Sequence, residues 1–171
     1  TNNLTDVQKV LINSGGPVGT FAPATTTPFS PARYGHTSVA YNGYLYVIGG
    51  WNGVASYYND VQYAKINANG TVDAFTSATA TLFTTARRGH TSVAYNGYLY
   101  VIGGYSGTAY LDDIRYAAIN TNGTLVAPWG QATSFPAARY GHTSVVYNGY
   151  LYVIGGIGAA GNLGDVQYAA I

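Results

Sequence analysis

The sequence predicts an all-β fold built from repeated four-stranded antiparallel units. Three observations support this: a block that occurs three times, an Asn-Gly turn inside each copy, and a composition rich in tyrosine and glycine. The block runs from His36 to Gly50, returns unchanged at 90–104, and returns at 142–156 with Val146 as the one substitution. A period of about fifty residues indicates stacked copies of one supersecondary unit.

The composition favours strands and excludes several classes of partner. The 18 tyrosines favour strands and the 23 glycines favour turns. A formal charge of +1 without a run of basic residues excludes a nucleic-acid surface, and no apolar run reaches the roughly 18 residues of a membrane helix. The absence of cysteine excludes disulfides. The few charges lead us to expect a bacterial surface or extracellular protein, and the uncharged, polar start suggests a mature form or a fragment.

Each block contains two strands of a hairpin. The runs 37–41 and 44–48 flank Asn42-Gly43, the pair that a type I′ turn requires. The second run is apolar at nearly every position, which is typical of a strand covered on both faces of its sheet. A variable loop, a third strand and a fourth strand follow. In the first unit these are predicted at 51–59, 60–66 and 71–75, and in the second at 105–112, 113–119 and 124–129.

Four-stranded units with this period predict blades of a β-propeller. We expect a single domain over residues 1–171, with the first unit at 33–86, the second at 87–138, and partial units at 1–32 and 139–171. The segment 1–32 carries a third strand at 4–12 and a fourth at 17–21, while 139–171 carries the first three strands. The total of thirteen strands is one more than three blades need, so the third strands beginning near Asp6 and Asp165 compete for one place.

The residues at repeated positions resemble those of a known family. They are double glycines at the end of the second strand, third-strand tyrosines, fourth-strand aromatics, and an Arg-x-Gly before each first strand: Gly49, Gly50, Gly103, Gly104, Gly155 and Gly156; Tyr63, Tyr116 and Tyr168; Phe75 and Trp129; Arg33, Arg87 and Arg139. Over essentially its whole length, the chain resembles the kelch-repeat family of β-propellers. The resemblance implies a kelch-like half-propeller of about three blades. One departure is the longer span from the third-strand tyrosine to the fourth-strand aromatic.

Three blades cannot close a ring, since propellers have about 4–8. An open array would expose two apolar faces and unpaired strand edges. We therefore expect the chain to be its own partner, in a homodimer of six blades where N-terminal strands complete the partner's last blade. A segment of a longer propeller is the alternative.

The three histidines are candidates for structural positions rather than for a metal site. His36, His90 and His142 open the same strand of different units, so they lie around a ring and do not converge on one ion. We expect each to bond to neighbouring backbone where two blades meet. No metal and no cofactor is predicted.

Two roles are open for the repeated arginines. The kelch resemblance implies that Arg33, Arg87 and Arg139 lie on a ligand-binding face, where an arginine can contact acidic partners. The alternative is a bidentate pair with the third-strand aspartates of the same face, Asp60, Asp113 and Asp165. Arg88 is a further candidate for ligand binding, and it is not a repeated arginine, because tyrosines 34 and 140 occupy its position in the other units.

Aromatic residues in the second-to-third loops are candidates for ligand binding: Trp51, Tyr57, Tyr58, Tyr105 and Tyr110. Variable loops on a rigid scaffold commonly carry binding residues, and these rings would suit stacking on sugars. The alternative is that they cover the ends of the blades.

The combined prediction is a non-enzymatic scaffold that self-associates. The cysteine–tyrosine cofactor of galactose oxidase, a kelch-like enzyme, requires a cysteine that this chain lacks. Only Asp73 and Asp112 lie outside the repeated third-strand position, and neither shows a carboxylate partner for acid–base chemistry. The near-identity of the blocks also permits a designed protein or a fragment. A surface adhesin that binds glycan or protein through its loops is the alternative function, and a kelch-like enzyme is the least supported one.

Overall fold

The fold is all-β, as predicted. The computed structural model describes residues 4–12, 19–78 and 82–171, and in these residues it contains fifteen strands and no helix. The strands are β1 (Gln8–Lys9), β2 (Ala22–Pro23), β3 (Thr37–Tyr41), β4 (Tyr44–Trp51), β5 (Tyr57–Lys65), β6 (Thr76–Ser77), β7 (Thr91–Tyr95), β8 (Tyr98–Tyr105), β9 (Tyr110–Ala118), β10 (Gly130–Ala132), β11 (Thr143–Tyr147), β12 (Tyr150–Ile154), β13 (Ile157–Gly158), β14 (Gly161–Asn162) and β15 (Val166–Ala170).

The strands form two four-stranded antiparallel sheets and one three-stranded sheet. The first unit has the order β3-β4-β5-β6, the second has β7-β8-β9-β10, and the third has β11-β12-β15. β1 pairs with β2, and β13 pairs with β14, in separate two-stranded ladders. The sequential meander within the first two units is the four-stranded arrangement that the repeats predict.

The first hairpin of each unit has the predicted geometry. Asn42 and Gly43 have φ values of 48° and 81°, and they bring Tyr41 opposite Tyr44. A type I′ turn requires positive φ at both central residues, which asparagine and glycine tolerate. The first strands coincide with the predicted runs in all three units.

The second and third strands are longer than predicted in the first two units. β4 continues through the double glycine to Trp51, and β5 begins at Tyr57. The pairing register shifts between Ile48 and Gly50, as it does between Ile102 and Gly104. The double glycines are therefore part of a bulge inside the strand rather than its end, and the predicted loops 51–59 and 105–112 shrink to 52–56 and 106–109.

The fourth strands lie later in the chain than predicted. The predicted strand 71–75 contributes one bridge, from Val72 to Ile66, and the ladder strand is β6. The Val72 amide donates to the carbonyl of Ala24, in the segment before the first unit. The second unit repeats this pattern: the Leu125 amide donates to the Ala78 carbonyl, and the fourth strand of the sheet is β10. The predicted strands were wrong because these residues bond across units.

The N-terminal segment also differs from the prediction. The third strand expected at 4–12 is limited to β1, and its partner β2 follows the fourth strand expected at 17–21. Residues 17 and 18 lie outside the described part of the chain. β1 and β2 occupy the repeat positions of the third and fourth strands, since Gln8 pairs with Pro23 as Gln62 pairs with Ser77.

The core lies between neighbouring units. One buried cluster joins Tyr46, Ile48 and Val61 of the first unit to Leu99 and Val101 of the second. A second cluster joins the second unit to the third, and a smaller one joins the N-terminal segment to the first unit. The first strands β3, β7 and β11 are adjacent in that order. Each unit therefore buries one sheet face against the next, with the first strands on the inner side.

Candidate functional site

The repeated arginines form bidentate ion pairs at one end of each unit. Arg87 Nη1 and Nη2 donate to the two carboxylate oxygens of Asp113 at 2.7 and 2.9 Å, and Nη1 also donates to the Gly103 carbonyl at 2.9 Å. Arg33 pairs with Asp60, and Arg139 with Asp165, in the same way. All three guanidinium groups are buried. This is the geometry of the structural alternative, because the charged donors are directed at protein acceptors.

Two of the aspartates, Asp113 and Asp165, are held in the ionised form by these pairs. Burial raises the pKa of Asp113, but hydrogen bonds from Arg87 and Arg115 outweigh it and bring the pKa below its usual value. The hydrogen bond from Arg139 lowers the pKa of Asp165. The carboxylates of Asp113 and Asp165 therefore remain charged throughout the neutral and mildly acidic range.

The histidines lie where one unit meets the next. His90 Nε2 is 3.0 Å from the Thr37 hydroxyl of the preceding unit, and His142 Nε2 is 2.9 Å from that of Thr91. Each ring thus meets a threonine side chain of the preceding unit, in addition to the expected backbone interaction, which involves Ile48 at His90 and Ile102 at His142. Burial and the nearby Arg87 lower the pKa of His90 to about 3, and burial and Arg139 lower that of His142 to about 4. Burial and Arg33 also lower the pKa of His36.

The double glycines admit no side chain at these junctions. Gly49 has a φ of 57°, and a Cβ there would lie 2.9 Å from His90 Cε1 and 3.2 Å from the Tyr58 carbonyl oxygen. A Cβ at Gly50 would lie 2.9 Å from His36 Cβ. Gly103, Gly104, Gly155 and Gly156 also have positive φ. The glycines therefore allow the bulge and the close approach of the next unit.

Six aromatic rings form a continuous row at the same end of the units, which we call the aromatic ladder. Its members touch in sequence at centroid distances of 5.2 to 6.4 Å, from the first unit to the third: Tyr34, Trp51, Tyr57, Tyr105, Tyr110 and Tyr140. Strand pairing sets this order, because Trp51 lies opposite Tyr57 and Tyr105 lies opposite Tyr110.

Arg88 lies within the aromatic ladder and has no carboxylate partner among the described residues. Its Cζ is 4.5 Å from the centre of the Trp51 ring and about 6 Å from those of Tyr34 and Tyr105. Its Nε is buried without a hydrogen-bond partner in the described chain. A cavity of about 230 Å³ opens between Arg88, Tyr105, Tyr110 and Tyr140. Arg88 Nη1 donates to the Tyr34 hydroxyl at 3.5 Å. A cation that is held by ring faces beside an open cavity, with no carboxylate partner, suits an anionic or hydrogen-bonding ligand.

Comparison with known proteins gives the family. The protein-family model described as KLHDC2/KLHL20/DRC7 Kelch-repeats domain matches residues 20–169 of this chain. The chain belongs to the kelch-repeat family. Human kelch-like protein 23 is 27% identical over 134 residues, which cover 75% of this chain and 22% of that protein. Beta-scruin of Limulus polyphemus is 26% identical over 125 residues, covering 73% of this chain and 13% of the relative. The chain thus spans less than a quarter of the length of either relative.

Kelch-repeat domains generally act as non-catalytic scaffolds that bind proteins. In the described part of this kelch domain, no group of three or more metal-ligating side chains could hold an ion. The same residues include no helix able to cross a membrane.

The structure gathers some of the predicted site residues and separates others. Trp51, Tyr57, Tyr105 and Tyr110 are in the aromatic ladder with Arg88, although they belong to strands rather than to loops. Tyr58 lies apart, with its ring 4.3 Å from Arg33 Cζ. Tyr34 and Tyr140 were not among the predicted site residues. The signal for them was their alignment with Arg88, just before the repeated glycine.

Proposed function

We propose that this kelch domain is a non-catalytic scaffold that associates with a second copy to close a ring. The observation that carries the proposal is a set of contacts between units that occurs twice within the chain and has unused partners at both ends. The repeated aspartates that could serve in acid–base chemistry are engaged by arginine, which supports a non-catalytic role.

The contacts between units are the same at both internal junctions. A histidine of the later unit meets a threonine of the earlier one, and glycine amides donate in series, from Gly89 to Gly35 and from Gly141 to Gly89. At the ends of this series, His36 has no threonine and Thr143 has no histidine among the described residues. Each end thus presents the group that the other requires.

The face of the third unit has an apolar surface that the internal units bury. Val166 is 56% exposed, whereas Val61 and Ile114 at the same repeat position are 1% and 5% exposed. Tyr147 and Tyr168 are also largely exposed. Burial of such a face against a second copy would remove this surface from water, which is the main favourable contribution to association. With three units per chain, two chains make six, within the range of closed propellers.

Light scattering and native mass spectrometry test the proposal. The chain should have twice its 18.0 kDa mass. Val166→Lys should return it to the single-chain mass, because a lysine would be buried at the junction without a partner charge. Val54→Lys is the matched control, since Val54 is exposed in the short loop after β4 and should leave the dimer intact. A wild-type chain of single mass at all concentrations would refute self-association.

A second candidate function is ligand binding through the aromatic ladder, supported by the uncompensated charge of Arg88. This is the role expected of a surface module that recognises protein or glycan at the outside of a bacterial cell. Binding to acidic peptide and glycan arrays should be lost in Arg88→Ala and reduced in Trp51→Ala, while Lys65→Ala, which removes an exposed cation elsewhere, should bind normally. Equal binding by all variants would contradict this role.

A further inference from the structure

We infer that, in the dimer, Phe21 of one copy fills a pocket beside Phe135 of the other, and that β15 of that other copy takes the place of β1 next to β2. The inference rests on the proposed self-association and specifies how the two copies join. It follows from a comparison of one pocket with the equivalent, filled position in the same chain.

The pocket has a volume of about 240 Å³ and lies between the second and third units. Its apolar lining repeats, position by position, part of the buried cluster between the first two units: Ile114, Phe135, Leu151, Val153 and Ala169 correspond to Val61, Phe83, Leu99, Val101 and Ala117. That cluster also includes Leu125 and, packed against it, Trp129. The pocket is therefore the space that the aromatic residue preceding the fourth strand occupies at the earlier junction.

The aromatic partner is present at the two earlier junctions. Phe29 meets the edge of Phe75 at 5.8 Å, and Phe83 meets Trp129 at 5.5 Å, each between ring centroids. Phe135 has a ring contact with His142 of its own junction, and it has no equivalent of Trp129 among the described residues.

Phe21 holds the same repeat position as Phe75 and Trp129, but it is not buried against any of the described residues. It immediately precedes β2, as Phe75 precedes β6 and Trp129 precedes β10. It is 61% exposed, whereas Phe75 and Trp129 are partly buried. Phe21 of a second copy would supply Phe135 with the edge contact that Phe29 and Phe83 already have.

Placing Phe21 in the pocket brings β2 beside β15, so β1 must leave. β1 is the weaker partner, because it pairs through two residues, whereas β15 pairs with β12 through five. Asp165 of β15 is held by Arg139, while Asp6, at the same repeat position before β1, accepts a hydrogen bond from Gln8. Tyr168 stacks on Tyr152, and β1 has Lys9 at that position. β15 therefore keeps its sheet, and β1 is displaced.

Paired cysteines test this exchange, since the chain has no cysteine of its own. In the repeated register Tyr168 lies opposite Ala22 of the second copy, as Tyr63 lies opposite Thr76. Directly opposed residues are within disulfide reach. On oxidation, Ala22→Cys with Tyr168→Cys should give a covalent dimer, whereas Ala22→Cys with Val54→Cys, at an exposed loop position away from the proposed junction, should not.

A second pair tests the displacement of β1. Lys9 lies opposite Ala22 within one chain, so oxidised Lys9→Cys with Ala22→Cys should lock β1 in place and leave the protein monomeric until it is reduced. Separately, Phe21→Ala should raise the dimer dissociation constant by about a hundredfold or more. This variant requires no oxidation and provides a test even where the double variants fold poorly.

The outcomes separate this inference from the proposed function. If the wild type is dimeric but Phe21→Ala dimerises equally well, or the locked pair still dimerises, the exchange is refuted and self-association stands. If the wild type is monomeric at all concentrations, self-association itself is refuted.

Discussion

At the scale of single residues, two adjacent arginines have opposite environments. Arg87 is buried and directs its guanidinium group at Asp113 and the Gly103 carbonyl, whereas Arg88 lies over Trp51 with no carboxylate among the described residues. The difference arises because successive side chains point in different directions. Arg87 faces the third strand of its own unit, and Arg88 faces the aromatic ladder. Adjacent residues of one type thus differ in that one forms a buried ion pair and the other a cation held by ring faces.

Replacing Arg87 should be far more damaging to the fold than replacing Arg88. Arg87→Ala leaves the Asp113 carboxylate without its main partner, so we expect the free energy of unfolding to fall by about 3–5 kcal/mol. Arg88→Ala breaks no ion pair and should change it by less than about 1 kcal/mol. Urea denaturation at fixed protein concentration measures both. Equal losses in the two variants would contradict the assignment of Arg87 as structural.

The buried histidines predict a stability that falls at mildly acidic pH. His90 and His142 have lowered pKa values in the folded chain, about 3 and 4, against 6.5 when unfolded. Between about pH 6.5 and 4 the unfolded state binds the extra protons, so the free energy of unfolding decreases as pH falls, by up to about 1.4 kcal/mol per pH unit for each histidine. Asp113 and Asp165 add to this pH dependence only at lower pH, because their pKa values in the folded chain lie below the usual 3.8.

Denaturation from pH 7 to pH 4.5 measures this slope. The matched variant is His142→Gln, which retains a side-chain amide near Thr91 but does not titrate, and it should lose the share of the slope due to one histidine. An unchanged slope in this variant would mean that the pKa of His142 is not lowered in the folded chain.

At the scale of elements, the second strand and its bulge decide how closely two units approach. The register shift after Ile48 turns β4 past the double glycine and allows it to reach Trp51. The residues that touch the next unit, and Trp51 of the aromatic ladder, are thus in one strand. The bulge therefore lies between the part of β4 that packs against the next unit and the part that carries Trp51.

Two glycines in the first unit separate steric from conformational effects. Gly49→Ala should lower the free energy of unfolding by about 2–3 kcal/mol or more, because its Cβ would meet His90 and two carbonyl oxygens in a positive-φ conformation. Gly43 also has positive φ, but nothing lies within 4 Å of a Cβ added there. Gly43→Ala should therefore lower the free energy of unfolding by about 1 kcal/mol. Equal losses, measured by urea denaturation, would show that close packing at Gly49 contributes nothing.

At the scale of the whole molecule, the units form a series whose two ends match. Each junction buries a sheet face, and the exposed face of the third unit is the one that the internal junctions cover. Such a series gains stability with each added neighbour, as in other repeat proteins.

Self-association predicts a melting temperature that rises with protein concentration. Dimer formation stabilises the folded state by mass action, so each tenfold increase in concentration should raise Tm by a measurable amount. Val166→Lys should have a lower Tm that does not depend on concentration. Differential scanning calorimetry over a hundredfold range measures this, and a constant wild-type Tm would contradict association through this face.

Much of the fold was predictable because local chemistry decides it. The Asn-Gly turns, the first strands and the four-stranded meander follow from residue type and spacing, and all agree with the structure. The fourth strands were misplaced because Val72 and Leu125 bond to the preceding unit, a contact invisible in a single repeat. Trp51, Tyr57, Tyr105 and Tyr110 were identified as candidates, but their union with Tyr34 and Tyr140 depends on neighbouring sheets.

The repeat, the turn chemistry and the apolar runs of the second strands were predictable from residue type and spacing, because they depend on the preferences of a few adjacent residues. The sequence left two roles open for the repeated arginines. It also left two candidate third strands, beginning near Asp6 and Asp165, for a single position in a blade. The three-dimensional structure shows that Arg33, Arg87 and Arg139 pair with aspartate, whereas Arg88 has no carboxylate partner among the described residues. Charge pairing depends on distances between strands, and these are set by the fold. The tertiary structure also revealed the empty position beside Phe135, since a pocket exists only where two units meet.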